Sequence, residues 1–146
     1  MGLFQSFNIS ASGMTAERFR TDIIAQNIAN VNTTSTASGG PYRRKIVTFS
    51  EKTVTPFSQV YSASKNAAVG NGVKVSSVKS DYSTDFIKEY DPSNPDADAD
   101  GYVSYPNVNT VTEMTNLIDA TRAYEANATA FESSKAMAEK GLQIGK

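Results

Sequence analysis

Residues 110–144, "TVTEMTNLIDATRAYEANATAFESSKAMAEKGLQI", contain no proline. So long a run without a breaker reads as a helix. Positions 114, 117, 121, 124, 128, 131, 135, 138 and 142 step by three and four, and all but Thr121 and Lys135 are apolar or aromatic. That spacing is a coiled-coil seam, with Met114, Leu117, Tyr124, Phe131 and Leu142 as its larger members. The opposite face carries Ala123, Ala126, Ala130 and Met137, and the alanines would let another helix come close. Asn109 or Thr110 is placed to cap the start, and Thr110 with Glu113 has capping-box spacing. Gly141 and Gly145 mark the far end.

A second proline-free run, residues 3–31, has Gly13 as its only glycine. Leu3, Phe7, Met14, Ile24, Ile28 and Val31 fall on one stripe. Ile9, Ala16, Phe19 and Ile23 fall roughly opposite. Neither helix is stable alone in water, because helical stability comes mostly from packing. The simplest closure is an antiparallel coiled coil of the two ends of the chain. That buries one face of each helix. The second faces (Ile9, Phe19, Ile23, Ala123, Ala126, Ala130 and Met137) are then expected to meet other subunits. Asn27, Asn30 and Asn32 cluster where the first helix ends. They either cap it, or Asn27 and Asn127 set register through buried hydrogen bonds. Asn27 and Asn30 are also counted as interface candidates.

Between the helices, residues 33–106 hold all five prolines and much Thr, Ser, Gly and Asn. "RRKIVTF" (43–49) and "NGVKVSSV" (71–78) read as strands, and "FSQVYSAS" (57–64) as a further candidate. "TTSTASGGP" (33–41) reads as a loop. The expected fold is mainly α with a β-rich insertion: helix over 1–32, β and loop over 33–106, helix over 107–146. Arg43, Arg44 and Lys45 form the one basic run, either a solvated strand end or a contact to acidic patches on a neighbouring subunit.

"DPSNPDADADG" (91–101) has half the pattern of a calcium loop. Counted from Asp96, Asp98 and Asp100 fall at loop positions 3 and 5, Gly101 at 6 and Val103 at 8. The bidentate Glu is missing, since position 12 is Asn107. Pro92 and Pro95 forbid the entering helix. Asp91, Pro92, Pro95, Asp96, Asp98, Asp100 and Gly101 are therefore expected to form a turn that directs the chain into the second helix, with no metal. A calcium-responsive binding module is the alternative function.

The chain of 146 residues has no His, Cys or Trp, and a formal net charge of −1. Triads based on His or Cys, and nitrogen or sulfur zinc sites, are excluded. A carboxylate pair lacks any companion motif, so no enzyme and no cofactor are expected. There is no broad basic stripe for nucleic acid, and no small-molecule substrate is expected. The N-terminus lacks a signal-peptide pattern.

Four stretches, in order, carry a family resemblance: "SASGMTAERFRTDIIAQNIANVNT" (10–33), "GGPYRRK" (39–45), "EYDPSNPDADADGYVSYPNVNTVTEM" (89–114) and "LIDATRAYEANATAF" (117–131). They resemble the bacterial flagellar basal-body rod proteins, and the middle two narrow the resemblance to proximal-rod members. The resemblance implies a structural subunit that polymerises helically into a drive shaft across the periplasm. It implies export through the flagellar type III apparatus without a cleaved signal. Implied partners are copies of itself, other rod proteins and the protein joining the rod to the MS ring.

Overall fold

The computed structural model describes residues 3–37, 39–52 and 71–144, with side chains from residue 5 onward. The candidate strand 57–64, the side chain of Leu3 and Gly145 lie outside the described residues.

Two terminal helices bracket a small β region, as the sequence predicts. The order is α1 (Leu3–Ala29), β1 (Lys45–Glu51), β2 (Val73–Ser80), β3 (Ile87–Tyr90), β4 (Tyr102–Tyr105) and α2 (Thr110–Ile144). β1 pairs with β2 in one two-stranded sheet, and β3 with β4 in another. β1 and β2 occupy the two stretches expected as strands. The second sheet was not expected. β3 is exposed along its whole length and so has no alternation to read. Its pairing is antiparallel, with Ile87 opposite Tyr105 and Tyr90 opposite Tyr102. The Tyr90 and Tyr102 rings meet edge to face with centroids 5.3 Å apart.

Local chemistry sets the helix ends. Asn30 donates its side-chain amide to the Gln26 carbonyl (2.8 Å), which also accepts the Asn30 N–H (3.2 Å). At α2, Asn109 is the cap: its side-chain oxygen accepts from the Thr112 N–H (3.1 Å), and its carbonyl from the Glu113 N–H (2.9 Å). The Thr110–Glu113 capping box is not formed, because the Glu113 carboxylate bonds elsewhere.

The chain divides into two compact units, each drawing on both helices. Unit 1 comprises the described residues of Met1–Phe19, Phe49–Ser76 and Ala120–Lys146. Its helices meet through small groups and one ring pair. Phe7 and Phe131 stack tilted, centroids 4.9 Å apart. Gly13 is buried, and a Cβ there would stand 2.7 Å from Asn127 Oδ1. Ser12 Oγ donates to the Ile9 carbonyl (2.7 Å) and accepts from the Val73 N–H (3.0 Å), fastening β2 to α1. Ser10, Ala16, Ala120 and Ser134 are buried alongside.

Unit 2 comprises Ser77–Asp119 and the described residues of Arg20–Thr48. Its interior holds Ile24, Val103, Pro106 and Val108, with Asn27, Tyr42, Asp81, Asn107 and Glu113 among them.

The buried line of α2 differs from the expected seam by one position at every second step. Glu113, Ala120 and Ser134 are buried and Asn127 is half-buried, each seven residues from the next. Leu117, Phe131 and Ala138, which the seam did include, are half-buried. Met114, Tyr124 and Leu142 are exposed, Met114 by 52% and Leu142 by 75%. On α1, Ile24 is buried, while Phe7, Met14 and Ile28 are half-buried. The physical reason is that small and polar residues hold the inner positions, so a search for apolar residues slides to their neighbours.

Candidate functional site

The most organised cluster of side chains in the described residues is a polar clamp in unit 2. It joins the end of α1, the start of β1, the turn after β2 and the start of α2. Its centre is Asn27, in the last turn of α1 and 1% exposed. The side-chain amide of Asn27 donates to the Lys45 carbonyl (2.9 Å) and to Glu113 Oε2 (3.0 Å). Its oxygen accepts from the Lys45 N–H (2.9 Å) and the Tyr42 hydroxyl (2.9 Å). Both amide protons and both lone pairs of Asn27 are thereby used. One side chain takes the place of a neighbouring strand for Lys45.

Glu113 stands on the first turn of α2 and is also 1% exposed. Its Oε1 accepts from Arg44 Nε (2.8 Å) and Arg44 Nη2 (2.7 Å). Two protons of one guanidinium on a single carboxylate oxygen make a strong charge-assisted contact. Asn107 completes the far side. Its oxygen accepts from the Arg44 N–H (2.9 Å), and its amide donates to the carbonyls of Asp81 (3.1 Å) and Thr84 (3.2 Å). The Asp81 N–H bonds the Arg44 carbonyl (2.8 Å), so both backbone groups of Arg44 are held.

Electrostatics follow the geometry. Asp81 accepts from the hydroxyl and N–H of Ser83, then from those of Thr84, and these donors hold its pKa down at about 2. Burial, and next the charge of Glu113, push the Tyr42 hydroxyl above its ordinary value of 10.0. Tyr42 therefore remains a donor to Asn27 at neutral pH. Arg43 points away from the clamp centre. It donates to the Asp81 carbonyl (3.0 Å), and its guanidinium lies 4.6 Å from the Tyr82 ring and 4.1 Å from the Phe86 ring. These partners are all within the chain.

The interface candidates separate on this structure. Asn27 and Arg44 have their polar groups engaged inside unit 2, Arg43 bonds within it, and Asn30 bonds its own helix. Asn27 is buried and hydrogen-bonded, while Asn30, Arg43 and Arg44 are half-buried with bonds inside the chain. Phe19, Ala126, Ala130 and Met137 are exposed, while Ile9, Ile23 and Ala123 are half-buried.

The Asp loop is built from turns. Asp91 Oδ1 accepts from the Ser93 hydroxyl (2.6 Å), and Asp98 Oδ1 from the N–H groups of Asp100 (3.0 Å) and Tyr102 (2.9 Å). Asp96 Oδ2 takes the Thr34 hydroxyl (2.6 Å). Pro92 and Pro95 are exposed on its surface. Gly101 has φ +81°, and a Cβ there would press on the Tyr90 ring at 2.9 Å, so both conformation and space call for glycine. Among the described residues, no three acidic side chains converge to hold a metal ion. No helix among them is long and apolar enough to cross a membrane.

Sequence reasoning missed Tyr42, Asp81 and Glu113 as members of one cluster, and met Asn107 only as a failed calcium ligand. The stretch "TVTEMTNLI" carried no signal for burial of Glu113, because it is largely polar and capping-box spacing already accounts for the carboxylate.

Comparison with known proteins covers the same segments. Residues 7–35 match the model described as Flagella basal body rod protein. Residues 99–144 match that described as Flagellar basal body rod FlgEFG protein C-terminal. The chain is 45% identical to the flagellar basal-body rod protein FlgC of Bacillus subtilis, over 100% of both chains. Identity to FlgC of Borreliella burgdorferi is 45%, over 99% of this chain and 98% of that one. Identity to FlgC of Escherichia coli is 40%, over 99% of each. Asn27 lies in the first matched segment, and Asn107 and Glu113 in the second.

Proposed function

Since the chain belongs to the family of the flagellar basal-body rod protein FlgC, we propose that it polymerises helically in the proximal rod and carries torque across the periplasm. It is a structural subunit of the flagellar basal-body rod and not an enzyme. It assembles with other basal-body components. The observation that carries the reading is identity of 45% along the full length of a rod protein of the same extent.

In this proposal α1 and α2 pair as an antiparallel coiled coil. Three contacts support it: Phe7 with Phe131, Gly13 beside Asn127, and Asn27 with Glu113. Each step toward the C-terminus on α1 is matched by a step toward the N-terminus on α2. The helical segments 1–32 and 107–146 then supply the subunit contacts, and 33–106 an outer β-rich part. The exposed face of Ala126, Ala130 and Met137 meets neighbouring subunits. Contacts of this kind that do not close give a helical filament. The chain leaves the cytoplasm through the flagellar type III apparatus.

The test uses a strain lacking this protein, complemented with Ala130→Leu. Ala130 is exposed, so the isolated variant should keep its helical circular dichroism and be exported. Motility should be lost, because the added bulk obstructs a close contact. Normal swimming would remove this face from the interface. Failure of the wild-type chain to restore swimming would remove the rod function itself.

A further inference from the structure

We infer that Glu113, with Asn27 and Arg44, is a register key: it selects one alignment of α1, β1 and α2 against the alternatives. Glu113 is a positioning residue in this sense. The inference concerns contacts inside one chain and does not rest on the rod reading.

In unit 2 the inner line of α2 offers packing little to discriminate alignments; the steric fits of Gly13 with Asn127 and Phe7 with Phe131 belong to unit 1. The inner positions of α2 at seven-residue spacing are Glu113, Ala120, Asn127 and Ser134. Apart from Glu113 these are small, so a helix displaced along its axis meets surfaces of similar shape. No large apolar knob on this line of α2 fixes the axial position.

The polar groups do discriminate. Moving α2 by one turn, about 5.4 Å, brings Leu117 or Asn109 to the place of Glu113. Leu117 offers no acceptor to the two Arg44 protons and the one Asn27 proton, and Asn109 offers only a neutral oxygen on a shorter side chain. Moving β1 by one residue turns the Arg44 side chain to the other face. It also separates the Asn27 amide from the paired N–H and C=O of Lys45, which one side chain can meet only at one residue. Each slip separates several groups from their native partners at once. The native alignment satisfies them all. Buried ion pairs often add little stability relative to apolar residues of similar volume, and fixing register is the best attested use of such groups.

The experiment compares the full wild-type chain with the triple variant Asn27→Leu, Arg44→Met, Glu113→Leu. Two quantities are read: the melting temperature by circular dichroism, and amide resonances by two-dimensional NMR. The wild type should give one resonance per amide across residues 20–48 and 77–119. The triple variant should stay helical, with these resonances doubled or broadened beyond detection. A single sharp set in the variant would overturn the inference, because alignment would then survive without the key. A variant with no helical signal or no melting transition would also overturn it, because the triad would then be needed for folding itself and not for alignment. Multiple sets in the wild type would overturn it as well. A second variant, Glu113→Gln, keeps the shape and one acceptor. It should retain a single set, and doubled resonances there would show that shape and hydrogen bonding do not make the selection.

Discussion

The same two helices are joined in two different ways in the two units. In unit 2 the junction is directional: an amide, a carboxylate, a guanidinium and a phenol, with both side-chain groups of Asn27 fully used. In unit 1 it depends on closeness: a missing side chain at Gly13, buried Ser10, Ala16 and Ser134, and one pair of phenylalanine rings. Directional contacts are strong and specific, and removing one partner strands the others. Close contacts between small groups are individually weak, and they fail mainly when something is added. The two units should therefore respond to opposite kinds of substitution.

The largest expected effect is from Glu113→Ala. It strands the amide of Asn27 and the guanidinium of Arg44. Breaking a buried pair from one side costs about 3–5 kcal/mol. Arg44 is 26% exposed and can turn partly to water, so the lower end, about 3 kcal/mol, is expected. Denaturant unfolding followed by circular dichroism measures it. A loss under about 1 kcal/mol would place this pair with ordinary surface ion pairs and break the contrast.

Next is Gly13→Ala in unit 1, where a methyl group is added instead of a bond removed. The new Cβ would lie 2.7–3.0 Å from the three outer atoms of the Asn127 side chain, whose amide is tied to the Ala123 carbonyl. Overpacking of this kind costs about 1–3 kcal/mol. Adding Asn127→Ala to the same chain should restore most of the loss. Equal losses in the single and double variants would mean that the helices do not approach closely here.

Ser12→Ala should cost about 1 kcal/mol, the usual net value of a hydrogen bond. It removes the bridge to the Val73 N–H. Faster exchange at the Val73 amide, with the Lys45 amide unchanged, would assign the effect to unit 1 alone.

The smallest effect is a shift in pH response. Asp81 has a folded pKa of about 2 against an ordinary 3.8. Its charged form is favoured in the folded chain. The stabilisation is present above about pH 3.8 and is lost as pH falls toward 2. Ser83→Ala removes the hydroxyl of the residue that lowers this pKa most. The Asp81 carboxyl should then titrate closer to 3.8 by carbon-detected NMR, and acid should loosen unit 2 at higher pH. An unchanged titration would mean the Ser83 hydroxyl has no part in it.

Much of this architecture is legible in the residues. Two proline-free runs give both helices, and the β-branched stretches at 43–49 and 71–78 give β1 and β2. The Asp-Pro loop reads correctly as turns because Asx chemistry is local. Three things were not legible. β3 and β4 have four residues each and β3 is exposed throughout, so neither carries a readable alternation. The inner line of α2 is hidden because Ala120, Asn127 and Ser134 carry no apolar signal. The clamp is hidden because Asn27 and Glu113 lie 86 positions apart. Each has a sufficient local explanation in a cap, and only their meeting reveals the buried network.

The central claim is that unit 2 is fastened within one chain and needs no neighbour. Hydrogen exchange on the dilute, unassembled chain tests it most directly. The amides of Arg44, Lys45 and Asp81, bonded to Asn107, Asn27 and Arg44, should exchange at least about tenfold more slowly than that of Val73 in unit 1. Exchange of all four at one common rate, or faster exchange at Arg44 and Lys45 than at Val73, would contradict the account.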